Sequence, residues 1–170
     1  MTQNKSTVLI TGSNRGIGLE FVRQYSQQDC DVIATCRNPA KADDLNRLAK
    51  TNSNISILSA DITQQESINN LSAELDNQPI DILINNAAYL GPPNPQKFGA
   101  IDYEMFTRSF EVNAIGPIRI TEKLTDNVRS SDTKKIIFLG SAAGSIAQIA
   151  PPITLYSYRA SKAALHLSVN

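Results

Sequence analysis

The chain has 170 residues, of which 41% are hydrophobic and 19% charged. Lys plus Arg equals Asp plus Glu at 16 each, so the formal net charge is zero. This length and composition predict one globular domain, and the charge balance argues against nucleic acid or an anionic membrane surface as a partner. The polar first residues and the absence of a long apolar segment favour a cytoplasmic protein without a membrane span.

Short apolar segments alternate with longer, mostly amphipathic ones. The apolar segments predict strands over residues 7–10, 31–35, 54–60, 80–84 and 135–139. The intervening segments predict helices over residues 19–27, 41–50, 64–76, 102–128 and 155–170. Thr63 is the predicted cap of the third helix, and Gly116–Pro117 the predicted kink in the fourth. Loops with glycine or proline are predicted over residues 89–100 and 140–153. This alternation predicts an α/β fold, a doubly wound parallel sheet covered by helices on both faces.

A glycine-rich turn over residues 11–18 joins the first predicted strand to the first helix. Such a turn leaves backbone N–H groups free at the helix start, where the helix dipole also attracts a phosphate. Gly12 would permit the turn, Gly16 the close approach of a pyrophosphate, and Gly18 tight packing of helix on strand. The spacing differs from the common G-x-G-x-x-G pattern, and a turn without a ligand is the alternative.

Polar residues follow the other predicted strands. Ligands of such sheets bind beyond the carboxyl ends of the strands, where the strand order reverses. The segments expected at that edge are the glycine turn, Arg37, Asp61–Ile62, Asn85–Ala88 and Gly140–Ser141.

Tyr158 and Lys162 are four residues apart at the start of the last predicted helix, so they share one face. A nearby ammonium favours the phenolate and lowers the pKa of a tyrosine. Such a tyrosine can protonate a carbonyl oxygen while a hydride reaches its carbon. Ser141, after the fifth strand, could hydrogen-bond the same oxygen. The alternative is a surface helix with a cation near an aromatic ring.

Cys30 and Cys36 flank one predicted strand, and an extended chain would hold them about 20 Å apart. A disulfide needs Cα atoms within roughly 7 Å, so we expect two free thiols. His166 is the single histidine. Without a second histidine or a Cys/His cluster no metal site is predicted, and we expect His166 on a helix surface or at an interface.

These motifs together resemble the short-chain dehydrogenase/reductase family, in its order and near its spacing, over the whole chain. The residues that carry the resemblance are Thr11, Gly12, Gly16, Gly18, Asp61, Ile62, Asn85, Asn86, Ala87, Asn113, Ser141, Tyr158 and Lys162. Residues 141–146 and 158–165 resemble the C-factor and Sniffer-like carbonyl reductases. The resemblance implies one Rossmann-type dinucleotide-binding domain over residues 1–170, with strand order 3-2-1-4-5 in the residues present. It also implies hydride transfer between a nicotinamide cofactor and a small carbonyl or alcohol substrate.

The family's catalytic roles carry over by resemblance. Tyr158 would be the acid/base, Lys162 would bind the nicotinamide ribose, and Ser141 would orient the carbonyl. Asn113 would sit at an irregular helical turn and hold a water in a proton relay; its alternative is a buried polar residue bonded to a neighbouring loop. Ser145 is the rival serine because its separation from Tyr158 is closer to the usual one, but Ser141 directly follows the strand and is favoured.

The cofactor choice rests on two arginines. Arg37 stands where a carboxylate would favour NAD, and Arg15 lies within the turn. Two guanidiniums suit a 2′-phosphate, so NADP(H) is favoured, although either could be a solvated surface charge. Asp61 and Ile62 would hold the adenine, with a helix-start carboxylate as the alternative for Asp61. The predicted cofactor-binding set is Gly12, Asn14, Arg15, Gly16, Ile17, Gly18, Arg37, Asp61, Ile62, Asn86, Ala87, Tyr158 and Lys162.

Two departures from the family pattern stand out. Ala88 replaces a usual glycine, which leaves the backbone less free to take positive φ. The family's further strand and substrate-covering segment are also missing, so we expect a partial chain that stops within its last helix. We therefore expect weak NADPH binding, self-association through the fifth strand and poor carbonyl reduction by this chain, and a homo-oligomer at full length. A cofactor-binding or signalling protein without turnover and an inactive fragment are the alternatives.

Overall fold

The structure is a computed structural model that describes residues 5–92, 99–148 and 154–169. Its centre is a five-stranded parallel sheet of order β3-β2-β1-β4-β5. The strands are β1 (Thr7–Thr11), β2 (Asp31–Cys36), β3 (Ile55–Ser59), β4 (Ile82–Asn85) and β5 (Lys135–Phe138). The helices are α1 (Gly16–Ser26), α2 (Asp43–Thr51), α3 (Gln65–Leu75), α4 (Tyr103–Phe110), α5 (Gly116–Lys123), α6 (Thr125–Arg129) and α7 (Tyr156–Ser168). The predicted doubly wound fold and strand order are confirmed.

Helices cover both faces of the sheet. Successive residues of a strand point to opposite faces, so β1, β2, β3 and β4 each contribute to a hydrophobic cluster on either side. Leu9 of β1 packs in a cluster with residues of α3 and α5, including Ile68 and Ile120. Val8 packs in a second cluster with residues of α1 and α2, including Val22. All five residues of β1 are buried as a result, which explains the apolar run Val8–Ile10 at its centre.

The segment predicted as one helix over residues 102–128 is divided. Asp102 caps α4 by accepting a hydrogen bond from the Met105 N–H at 3.0 Å. A π-helical segment, Glu111–Ile115, then joins α4 to α5. Pro117 has no N–H to donate to the carbonyl four residues earlier, which favours this departure from α-helical geometry. The irregularity therefore begins before the predicted kink at Gly116–Pro117.

The predicted Thr63 cap is wrong. Gln64 is at the N-cap of α3, with no side-chain capping bond. Thr63 instead turns back toward Asp61, whose Oδ1 accepts from the Thr63 N–H at 3.0 Å and from its Oγ1 at 2.7 Å. An aspartate that bonds the backbone two residues on forms a tight turn, and this turn competes with the cap.

β5 is an edge strand among the described residues, paired only with β4. Ile136 and Ile137 are 39% and 38% exposed, whereas β1 is wholly buried. Cys30 is half-buried, Cys36 is buried, and both are free thiols. Within the described ranges, none of the helices combines the length and apolar character needed to cross a bilayer.

Candidate cofactor and catalytic site

A cavity of about 1390 Å³ lies along the carboxyl edge of the sheet, where the strand order reverses between β1 and β4. The predicted cofactor residues on its wall are Gly12, Asn14, Arg15, Gly16, Ile17, Gly18, Arg37, Asp61, Ile62, Asn86 and Ala87. Its lining does not include Asn113, Ser141, Tyr158 or Lys162.

The glycine turn has the geometry that its sequence predicts. Gly12 has φ +69° and Gly16 has φ +58°, conformations that favour glycine. A Cβ on Gly18 would lie 2.3 Å from the Gly12 carbonyl oxygen, so only glycine lets the helix sit this close to the strand. A Cβ on Gly16 would meet no described atom within 4 Å, so its face is open toward the cavity. α1 begins there without a side-chain cap from Arg15, which leaves first-turn N–H groups available to an anion.

Thr11 and Asn86 join the ends of β1 and β4 below the turn. The Thr11 Oγ1 accepts from the backbone N–H groups of Asn86 and Ala87, each at 3.1 Å. The Asn86 Nδ2 donates to the carbonyls of Thr11 at 2.9 Å and Gly12 at 3.1 Å. Ala88 is not among the described non-glycine residues with positive φ, so alanine fits where the family usually has glycine.

Five cationic side chains lie on the wall of the cavity: Arg15, Arg37, Lys41, Arg108 and Arg119. Arg15, Arg37 and Lys41 are exposed, and none forms an ion pair with a described carboxylate. Lys41 was missed by the sequence reasoning, which assigned it to a helix; it ends the 3-10 turn Pro39–Lys41 after β2. Cations gathered around one cavity without carboxylate partners favour an anionic ligand group.

The Asp61–Thr63 turn on the cavity wall is held from α5. Arg119 Nη1 donates to the Thr63 carbonyl at 3.0 Å and to the Ile62 carbonyl at 3.4 Å, and lies 3.6 Å from Glu111 Oε2. The sequence reasoning missed Arg119 because its partners are 56 and 57 residues away.

α7 carries the predicted catalytic tyrosine and lysine. Tyr158 is half-buried, and Lys162 is only 3% exposed. The Lys162 Nζ donates to the Leu139 carbonyl at 2.7 Å and lies 6.0 Å from the centroid of the Tyr158 ring. Burial lowers the pKa of the Lys162 ammonium. The lysine is therefore held between the end of β5 and the tyrosine.

Asn113 lies in the π-helical segment, at the irregular turn that the resemblance implies, and is fully buried. Its Oδ1 accepts from the Tyr89 N–H at 2.6 Å, and its Nδ2 donates to the Tyr89 carbonyl at 2.8 Å and to Ser161 Oγ at 2.9 Å. Ser161 Oγ donates in turn to the Tyr158 carbonyl at 2.8 Å. Asn113 thus connects Tyr89, on the cavity wall, to the helix of the tyrosine; its role in a water relay stays a prediction.

Ser141 precedes a short 3-10 turn, Ala142–Gly144, and its Oγ accepts from the Ala143 N–H at 3.2 Å. Ser145 ends the same turn. The preference for Ser141 over Ser145 stays a prediction. His166 was expected on a helix surface or at an interface; it is instead half-buried, and its Nε2 accepts from the Ser141 N–H at 3.2 Å.

A glycine turn at the reversal point of a doubly wound parallel sheet defines the class of dinucleotide-binding proteins. The sequence profile described as short chain dehydrogenase matches residues 6–169. The chain belongs to the short chain dehydrogenase family.

The chain is similar to several members of that family. A short chain dehydrogenase, gsfK of Penicillium aethiopicum, is 35% identical over 166 residues, which cover 93% of this chain and 65% of that protein. A carbonyl reductase from Pseudomonas aeruginosa PAO1 in complex with NADP is 30% identical with a TM-score of 0.84, covering 96% of this chain and 73% of the other. The carbonyl reductase Sniffer of D. melanogaster is 28% identical with a TM-score of 0.82, with coverages of 97% and 73%. The chain spans about two thirds of the length of the curated relatives it matches.

Proposed function

We propose that this chain forms the cofactor-binding part of an NADP(H)-dependent oxidoreductase that reduces a small carbonyl compound. The observation that carries the proposal is the cavity at the reversal point of the sheet. Its wall holds an uncapped helix start and four cations, Arg15, Arg37, Lys41 and Arg108, that pair with no described carboxylate. The similar carbonyl reductase from Pseudomonas aeruginosa forms a complex with NADP, which supports the same cofactor.

The residues on the wall fit a dinucleotide. The open face of Gly16 and the first-turn N–H groups of α1 would hold the pyrophosphate. The Asp61–Thr63 turn would hold the adenine, with Asp61 as the acceptor of its amino group. Arg15 and Arg37, with Lys41 beside them, would hold a 2′-phosphate through charge-assisted hydrogen bonds.

The proposed chemistry needs a proton donor and a group that orients the substrate. A bound reduced nicotinamide supplies the hydride. Ser141 Oγ accepts from Ala143 and keeps its own proton to donate to a substrate carbonyl oxygen. The Tyr158 hydroxyl protonates that oxygen, and the buried Lys162 favours the phenolate that remains.

The direct test is a titration of the purified protein with NADPH and NADH, followed by NADPH oxidation with a panel of aldehydes and ketones. We expect tighter binding of NADPH than of NADH, and measurable NADPH oxidation in at least a version extended to the length of the relatives. Binding without turnover on any carbonyl would favour the alternative, a cofactor-binding protein without catalysis. No binding of either cofactor would contradict the proposal.

A further inference from the structure

α7 holds the end of β5 at two backbone atoms. The Lys162 Nζ donates to the Leu139 carbonyl, and the His166 Nε2 accepts from the Ser141 N–H. The lysine and the histidine are four residues apart and therefore lie on the same face of the helix. One turn of α7 thus supplies a donor, Lys162, to the Leu139 carbonyl and an acceptor, His166, to the Ser141 N–H. The two backbone groups belong to residues two apart in the chain.

The contact between the imidazole and the strand end is close. A Cβ added to Gly140 would lie 2.7 Å from His166 Nε2, nearer than real Cβ atoms come. The absence of a side chain at Gly140 therefore lets the ring reach the backbone of Ser141. His166 itself is half-buried against this segment.

Tyr158, Lys162 and His166 follow one another at intervals of four residues, which places them along one stripe of α7. Ser141 follows β5, which is an edge strand among the described residues. A described strand therefore holds the backbone of β5 on one side only. The hydrogen bond from the Ser141 N–H to His166 therefore connects the serine to α7, the helix that carries Tyr158. The side chains of Ser141 and Tyr158 would contact the same substrate oxygen.

We propose that His166 is a positioning residue for Ser141, acting through the Ser141 N–H, an inference that rests on the proposed role of Ser141. The acceptor must be a ring nitrogen without a proton, because a backbone N–H can only donate. The neutral imidazole then carries its proton on Nδ1, which fixes the tautomer.

The tautomer can be tested in this chain without any catalytic activity. His166 is the only histidine, so the imidazole nitrogen signals of a ¹⁵N-labelled sample need no assignment. At a pH where the ring is neutral, we expect a protonated Nδ1 and an unprotonated Nε2. A protonated Nε2 would overturn the proposal.

Two substitutions test the consequence for catalysis. His166→Phe keeps a ring but removes the acceptor, whereas His166→Gln offers a carbonyl oxygen near the same place. We expect His166→Phe to lower kcat for carbonyl reduction about 10-fold to 100-fold, as small misplacements of reacting groups do, with the Kd for NADPH unchanged. His166→Gln should recover most of the loss, and Ser168→Ala, an exposed change on the same helix, should behave as the parent.

The outcomes separate this inference from the proposed function. Absence of NADPH-dependent turnover in a version extended to the length of the relatives would contradict the proposed function. The tautomer, measured in this chain, would still test the hydrogen bond between His166 and Ser141. An active parent with unchanged kcat in His166→Phe would overturn the positioning role alone. If urea unfolding shows that His166→Phe does not fold, the kcat of His166→Gln and the tautomer measurement test the positioning role instead.

Discussion

The carboxyl edge of the sheet has two ends, a first end around β1 and α1 and a second end around β5 and α7. The two ends differ in which atoms form the site. Around β1 and α1 the turn that faces the cavity is made of backbone: glycines with positive φ and free N–H groups, after a strand with every residue buried. Around β5 and α7 the site is made of side chains, beside a strand whose residues are mostly exposed. Individual hydrogen bonds, such as those of Lys162 and His166, hold that second end together.

The difference follows from the task proposed for each end. A phosphate can be held by N–H groups that any sequence supplies once the glycines set the turn. Proton transfer needs particular side chains at a defined separation. The first end should therefore be sensitive to any added Cβ atom, and the second to the removal of single polar atoms.

The largest expected effect breaks the second end alone. In an active version extended to the length of the relatives, Tyr158→Phe should lower the rate of carbonyl reduction by ~10²–10⁴-fold, because it removes the proton donor. NADPH binding should stay near that of the parent. Tyr156→Phe removes a hydroxyl two residues earlier on the same helix and serves as the control. Near-normal turnover of Tyr158→Phe would refute its role as the acid.

Gly18→Ala should break the first end. Its Cβ would lie 2.3 Å from the Gly12 carbonyl oxygen, so helix or strand must shift, at a cost of about 3 kcal/mol of unfolding free energy. Gly16→Ala is the matched control because it has positive φ but open space, and should cost about 1 kcal/mol. Urea unfolding measures both. Equal losses in the two variants would show that packing against Gly12 is not the cause.

Asp81 precedes β4 at the amino-terminal edge of the sheet, opposite the cavity. There it connects the starts of β1 and β5, the strands of the two ends. Its carboxylate accepts from the N–H groups of Thr7 at the start of β1 and Thr133 before β5, at 2.9 and 3.1 Å. Burial raises the pKa of Asp81, but these hydrogen bonds outweigh it, and the pKa lies below its usual value.

The stability that ionised Asp81 contributes is therefore complete above the unfolded pKa of about 3.9 and is lost as the pH falls through the lower folded pKa. Asp81→Asn should lower the unfolding free energy at pH ~7 by about 2 kcal/mol, and the difference should shrink toward pH ~3. Urea midpoints at the two pH values measure this. A difference that does not change with pH would contradict the assignment.

Arg37→Gln probes the cofactor preference of the first end. Loss of one charged partner of a 2′-phosphate should weaken NADPH binding about 10-fold, with little change for NADH. Higher salt should weaken NADPH binding by the parent, because these cations are exposed. Arg129→Gln, in α6 and away from the cavity, is the matched control. Equal parent affinities for the two cofactors would contradict the 2′-phosphate assignment.

Ile137→Lys should have the smallest effect on folding, within about 0.5 kcal/mol, because Ile137 is 38% exposed. The change should nevertheless reduce self-association of this chain, since a charge on an edge strand opposes pairing with another strand. Sedimentation at several concentrations measures it, with Leu167→Lys, on exposed α7 surface, as the control. A parent that stays monomeric at high concentration would contradict the prediction.

Much of this protein was determined by the sequence alone, because it depends on neighbours in the chain. Short apolar segments separated by helices suffice to predict the parallel sheet. Its strand order was expected from the resemblance of the motifs to the family. The backbone at Gly12 and Gly16 followed from their place between a strand and a helix. Tyr158 and Lys162 could be paired because a helix brings residues four apart together.

Only the tertiary structure decided which distant residues support the site. Arg119 reaches the Asp61–Thr63 turn across 56 residues, and His166 reaches Ser141 across 25. Asn113 contacts Tyr89 and Ser161 at once, through packing that no local pattern encodes. Thr63 failed as a cap because its own neighbour Asp61 offered a competing acceptor. Contacts of this kind depend on how helices dock on the sheet, which is settled by the shapes of many side chains together.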